Sequence, residues 1–309
     1  MKQGSILARL GGQLMAVDPV HGRESLSMDW PAAAMAARSD VVAGADLKVD
    51  RGERFVSVRG VAVMPIRGIL TPNSEILERY LGWATYAGIE AACAEIAAAD
   101  DVGAAVLEID SPGGLVMGLA GAVAAVAALA KVKPVYVLAN PLAASAAYAI
   151  ASQGTSIAMT AGAYVGSIGV MVESSAPVQP DMMGEQWNIH VSSHARAKWA
   201  DPRTEAGRAE IARRLDEFEA VFHADVSRGR GIALDALPAQ LSVTGDAADG
   251  GAVFLAADAI RRGLADTMET RAAFYDRVFA AHAPQPARGK ASARAFAAHA
   301  AAAAALAQS

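Results

Sequence analysis

Ser145 is the residue whose setting best suits chemistry. An apolar run, Val135-Tyr136-Val137-Leu138-Ala139, has the composition of a strand; Asn140-Pro141 breaks it, and a tiny-residue stretch with helical character follows. The serine hydroxyl then falls near a helix N-terminus, beside unpaired backbone N–H groups and the positive end of a helix dipole, where a nucleophile and the oxyanion it creates are both served. Ala143, Ala144, Ala146 and Ala147 leave room for a second backbone to approach. The same pattern also fits a plain N-cap, the common role of serine at such a position.

Two further segments could complete such a site. Ser111-Pro112-Gly113-Gly114 falls between a strand and a small-residue helix, and adjacent glycines let backbone N–H groups point into a site without side-chain obstruction. They equally fit a tight turn into a closely packed helix. A serine also needs a base. In the stretch from Val191 to Pro202, Lys198 serves if burial against apolar atoms, with Trp199 as a wall, leaves it neutral. His194 serves with less tuning, because imidazole titrates near neutral pH. A solvated loop is the plain alternative for both. No cluster of His, Cys, Asp and Glu has metal-ligand spacing and no glycine-rich phosphate loop occurs, so no metal or other cofactor is expected.

The elements that must position these residues alternate. A strand over Val61–Ile66 and a helix over Tyr86–Ala99 come first. Then follow a strand over Ala104–Ile109, a helix over Leu115–Ala130, the strand over Val135–Ala139, a helix over Ala144–Ser152 and a strand over Ser156–Met159. This order predicts an α/β fold with a mostly parallel sheet and right-handed crossovers, with Asp110–Gly114 and Asn140–Ser145 on one rim. Further on, the pattern predicts a strand over Ile168–Val172, a short helix over Pro177–Glu185 and a strand over Asn188–Ser192. An amphipathic helix over Thr204–Arg228 and a helix over Gly250–Gly263 complete the series. Residues 1–55 read as an irregular arm of short helices, 56–275 as one domain and 276–309 as an alanine-rich low-complexity tail.

Composition narrows the class. The chain has 309 residues, 53% of them hydrophobic, and a formal net charge of −5, which describes a globular protein with a substantial core and speaks against a dedicated nucleic-acid binder. A single cysteine, Cys93, in a helical pattern reads as a core residue of a reducing compartment. The N-terminus lacks the continuous apolar run of a signal peptide, so a cytoplasmic location is expected. The uncharged stretch between Asp110 and Lys131 has the length of a membrane span, but its Gly and Ala content and the following strand favour a buried helix and no membrane association.

The blocks VAVMPIRGIL, VLEIDSPGG, ANPLAASAAYAIAS, VGSIGVM, SSHARAKWADPRTEAGR and GGAVFLAADAIRRGLAD, in this order, resemble the signal peptide peptidase A family of serine peptidases, above all its phage and prophage branch of capsid-maturation proteases. The resemblance implies a ClpP/crotonase-like β-α-β superhelix and a Ser/Lys dyad. It makes Ser145 the nucleophile and Lys198 the base, with His194 in view as a substitute, and gives Gly113 and Gly114 to the oxyanion hole. Ser167 and Ala146 line the site. It further implies a homo-oligomeric ring in which Ser and Lys come from neighbouring protomers, and capsid or scaffold proteins as substrates. A cellular signal-peptide-degrading peptidase, a non-catalytic capsid assembly protein and a crotonase-like acyl-CoA enzyme are the alternatives.

Overall fold

The computed structural model describes residues 5, 6, 10, 12–29, 54–174, 183 and 189–282. Its strands are β1 (Met15–Val17), β2 (Val56–Val58), β3 (Val61–Leu70), β4 (Ala104–Leu115), β5 (Val135–Ala144), β6 (Ser156–Met159), β7 (Tyr164–Gly166), β8 (Val253–Leu255) and β9 (Thr267–Met268). Helices α1 (Arg23–Ser27), α2 (Glu75–Leu81), α3 (Tyr86–Ala98), α4 (Leu119–Val132), α5 (Ala146–Ala151), α6 (Glu205–Arg230), α7 (Leu237–Leu241), α8 (Ala256–Arg261) and α9 (Arg271–His282) lie between and after them.

The central order is β2-β3-β4-β5-β6-β9, and every pair in it is parallel except β2 with β3. Near-continuous apolar strands demand cover on both faces. One face of β4, through Ala105, Leu107 and Ile109, packs under α3 and α4; the other, through Ala104 and Val106, packs under Phe274 and Val278 of α9. The α/β class with a mostly parallel sheet is therefore the fold that the sequence leads one to expect.

The strands then turn. Register shifts interrupt β3 between Arg67 and Ile69 and β4 between Ile109 and Ser111. Gly68 makes the first bend possible: its φ is 72°, and a Cβ there would stand 2.2 Å from Trp83 Cδ1. Beyond the bends the ends of β3, β4 and β5 form a second set of ladders, in which β1 pairs antiparallel with β4 and β7 bridges β5 and β8.

Several expectations change in detail. Ser111–Leu115 is not a loop and helix start but the bent end of β4, and the helix begins at Leu119. Ile168–Val172 forms no strand beyond an isolated bridge from Met171 to Met15. The single helix over Gly250–Gly263 is strand β8 followed by α8. The arm, expected to hold short helices, has one in α1 and also supplies strand β1. The expected helix over Pro177–Glu185 lies, Met183 apart, outside the described residues, as do residues 283–309 of the expected tail, whose first residues, 276–282, belong to α9; residues 189–192 carry no strand. Cys93 is buried, and burial, with Glu90 nearby, pushes its thiol up to about 12.

Candidate active site

Ser145 is the hinge between β5 and α5, with φ 55° and ψ −122°. L-residues reach that conformation only with strain, and a serine held there on a strand-to-helix turn is the geometry of a nucleophile elbow. The alternative N-cap role fails, because the side chain accepts no hydrogen bond from the helix. Ser145 is 1% exposed, and among the described residues its Oγ has no hydrogen-bond partner.

The surrounding backbone holds this conformation. Ser145 N–H donates to Gly166 O at 2.7 Å, and Ala149 N–H donates to Ser145 O at 3.0 Å. Helix α5 is buried along its whole length; Tyr148 Oη donates to Leu264 O at 2.8 Å, and just past the helix Gln153 Nε2 donates to Asp225 O of α6 at 2.9 Å. Such anchoring is what lets a strained residue persist.

Gly113 and Ala146 adjoin the serine directly. Gly113 has φ 104°, and a Cβ on it would stand 2.9 Å from Ser145 Cβ, 3.0 Å from Ala146 N and 2.2 Å from Ala16 O. Ala146 is the first residue of α5, so its N–H has no acceptor within the helix. Gly113 N–H is occupied: it donates to Ser111 Oγ at 3.1 Å, and Ser111 Oγ donates in turn to Gly68 O at 2.7 Å. This Ser111 brace, buried in the DSPGG block, was missed in reading the sequence; a serine two residues before a glycine at a bend was the available signal. Gly114 serves packing, since a Cβ there would sit 1.9 Å from Leu70 O. Ser167, with φ 52°, follows Gly166 and donates its N–H to Ala252 O at 2.7 Å.

Lys198 is not brought to Ser145 within the chain. It ends a 3-10 turn over Arg196–Lys198, is exposed, and lines an open groove with Met117, Trp199 and Phe218. His194 is exposed on the turn before it. Lys198 is thus not buried within the isolated chain. Among the described residues no group of His, Cys, Asp and Glu is arranged to hold a metal, and no helix is long and apolar enough to cross a membrane.

A strained, buried serine on a strand-to-helix turn of a mostly parallel sheet defines an α/β protein with a nucleophile elbow. Residues 127–283 match peptidase family S49, and the chain belongs to that family. It is 32% identical over 152 residues to the capsid assembly protease C of Escherichia phage lambda, covering 49% of this chain and 35% of that one. It is 29% identical over 263 residues to the head-tail preconnector protein GP5 of Enterobacteria phage P21, covering 84% of this chain and 50% of that one. The chain thus spans between a third and a half of the length of these relatives. Solved structures similar to it include a variant of the membrane-bound stomatin-specific protease 1510-N (15% identity, TM-score 0.42, 72% of this chain and 85% of that) and an enoyl-CoA hydratase/isomerase family member (17%, 0.39, 73% of each).

Proposed function

We propose that this protein is a serine endopeptidase that processes phage capsid or scaffold proteins during head maturation. One observation carries the reading: Ser145 is held at φ 55° and ψ −122° with a buried, unpartnered Oγ that caps nothing. A fold that maintains both strain and an unsatisfied hydroxyl has kept that hydroxyl for another use. The family and the two phage relatives support the choice of peptide bonds as the target.

In the proposed reaction Lys198, as a neutral amine, takes the proton of Ser145 Oγ, and Oγ attacks the scissile carbonyl. The N–H of Ala146 receives the developing oxyanion, joined by Gly113 N–H once it lets go of Ser111 Oγ. The protonated amine returns its proton to the leaving amine, and water releases the acyl-enzyme. Since Lys198 is exposed and makes no hydrogen bond to Ser145, the base for one serine comes from a neighbouring subunit of a homo-oligomeric ring, whose contact also supplies the missing burial.

The test is co-expression with candidate capsid and scaffold proteins, followed by intact mass. Wild type is expected to cut, while Ser145→Ala and Lys198→Ala, both folded, lose at least about 1,000-fold in rate. Cutting by Ser145→Ala would end the serine-peptidase reading. Cutting by Lys198→Ala alone would transfer the base to His194.

A further inference from the structure

A peptide that is to be cut must bring a carbonyl to Ser145 Oγ, and extended peptides are most readily held by pairing with a strand edge. The edge beside Ser145 is the bent end of β4, because Gly113 is the residue that abuts the serine. That edge is not free. Residues Leu14–Asp18 of the chain's own N-terminal arm lie on it as an antiparallel strand, with Met15 opposite Leu115, Ala16 opposite Gly114 and Val17 opposite Gly113.

The arm is bonded on both of its sides. Towards β4, Val116 N–H donates to Leu14 O at 3.0 Å and Asp18 N–H to Pro112 O at 2.7 Å. On the other side Met15 exchanges two bonds of 2.9 Å with Met171, four residues past Ser167. The arm therefore fills the slot between the oxyanion glycine and the segment that follows the site-lining serine. Its Ala16 carbonyl is the backbone atom packed most tightly against Gly113, on the side from which Ser145 Cβ also approaches. Met15, Ala16 and Val17 are 2%, 0% and 4% exposed, so a side chain larger than alanine at the middle position would have to displace packed neighbours. Beyond the slot, Asp18 fixes the exit by accepting from Val20 N, His21 N and His21 Nδ1.

We propose that this slot is the peptide-binding groove of the enzyme and that Leu14–Asp18 occupies it as a built-in substitute for substrate. The proposal rests on the peptidase reading above and deepens it. Its ligand class is an extended, uncharged peptide with a residue no larger than alanine opposite Gly114, the character of the arm's own Gly11-Gly12-Gln13-Leu14-Met15-Ala16-Val17. Substrate enters when the arm leaves, and the buried state of Ser145 is the closed state.

The test uses the full chain carrying Ser145→Ala and a specific-protease site inserted within residues 31–50, so that the protein folds intact and is nicked afterwards. The probe is a fluorescein-labelled peptide of residues 11–19, in excess, read by anisotropy after overnight exchange. Nicking turns an intramolecular competitor into a dilutable one, so the nicked protein is expected to bind the probe about tenfold or more tighter than the intact protein. A probe with arginine in the place of Ala16 should not bind. A second variant, full-length Ala16→Arg, weakens the arm in place and should bind the unaltered probe without nicking. Equal, weak binding by intact, nicked and Ala16→Arg proteins would overturn the proposal and make β1 a fixed strand. Binding by the nicked Ser145→Ala chain, with no cleavage by its Ser145 counterpart, would keep the groove and discard the peptidase reading.

Discussion

At the level of single residues, the cost of the site is concentrated at Ser145. A non-glycine residue at φ 55°, ψ −122° stores about 1–3 kcal/mol, and a buried hydroxyl without a partner adds about 1–3 kcal/mol. Ser145→Ala removes the second penalty and keeps the first. Ser145→Gly removes both and returns about 0.5–1 kcal/mol as lost chain freedom. Stability should therefore rise in the order Ser, Ala, Gly, with Ser145→Gly about 1–5 kcal/mol above wild type in urea denaturation while cleavage is abolished. A wild type more stable than either variant would show that the conformation is not strained.

At the level of elements, one carboxylate gathers most of the side-chain hydrogen bonds between the first turns of α9 and the sheet. Glu108, on the face of β4 away from α3 and α4, accepts from Arg271 Nε at 2.6 Å and Nη2 at 2.9 Å, from Tyr275 Oη at 2.7 Å and from Asn140 Nδ2 at 3.0 Å. Burial by itself would raise the Glu108 carboxyl, but these bonds outweigh it and hold the group down at about 2 against an ordinary 4.5. A carboxylate depressed by folding stabilises fully above the unfolded value and loses its contribution as pH falls through the folded one, so the window here runs from about 4.5 down to about 2. Glu108→Gln should cost about 1–3 kcal/mol at pH 7 by urea denaturation, with exchange of the α9 amides quickened, and the gap to wild type should narrow towards pH 2–3. A gap constant with pH would remove charge from the explanation.

The same level shows how much the sequence disclosed. Apolar runs and their alternation with helices led to β3 through β6 and to Ser145 at the end of β5, because buried parallel strands and small-residue helices are local patterns. The extension of β4 through Ser111-Pro112-Gly113-Gly114 was hidden, since Pro and Gly ordinarily end strands. Here Pro112 needs no N–H of its own and its carbonyl is satisfied by Asp18. Val253-Phe254-Leu255 read as helix because three apolar residues next to a helical pattern carry no period of their own. β1 is three residues whose strand character comes wholly from partners about a hundred and more positions away.

At the level of the whole molecule, Lys198 lies on an exposed, partly apolar groove. Around it Met117, between β4 and α4, is 67%, Trp199, just past the 3-10 turn, 52% and Phe218 of α6 39% exposed, an apolar rim on the groove. A second copy docking there would bury these side chains and desolvate the amine together. Phe218→Asp is thus expected to lower the sedimenting mass and the cleavage rate in parallel, the rate by about tenfold or more, while leaving the far-UV spectrum intact. Loss of oligomer with cleavage retained would return the base to the same chain as its serine.

The described chain leaves α9 at His282, whose Nε2 lies 3.0 Å from the hydroxyl of Tyr136 near the start of β5, whereas Ser145 follows the end of that strand. The strand paired with Gly113, Met15–Val17, lies instead at the serine end of β5. The place of a purification handle is therefore not an indifferent choice. Joined close to Leu14, it loads the strand against Gly113; joined close to His282, it hangs from the opposite end of β5 and is expected to leave the measured rate that of the protein itself.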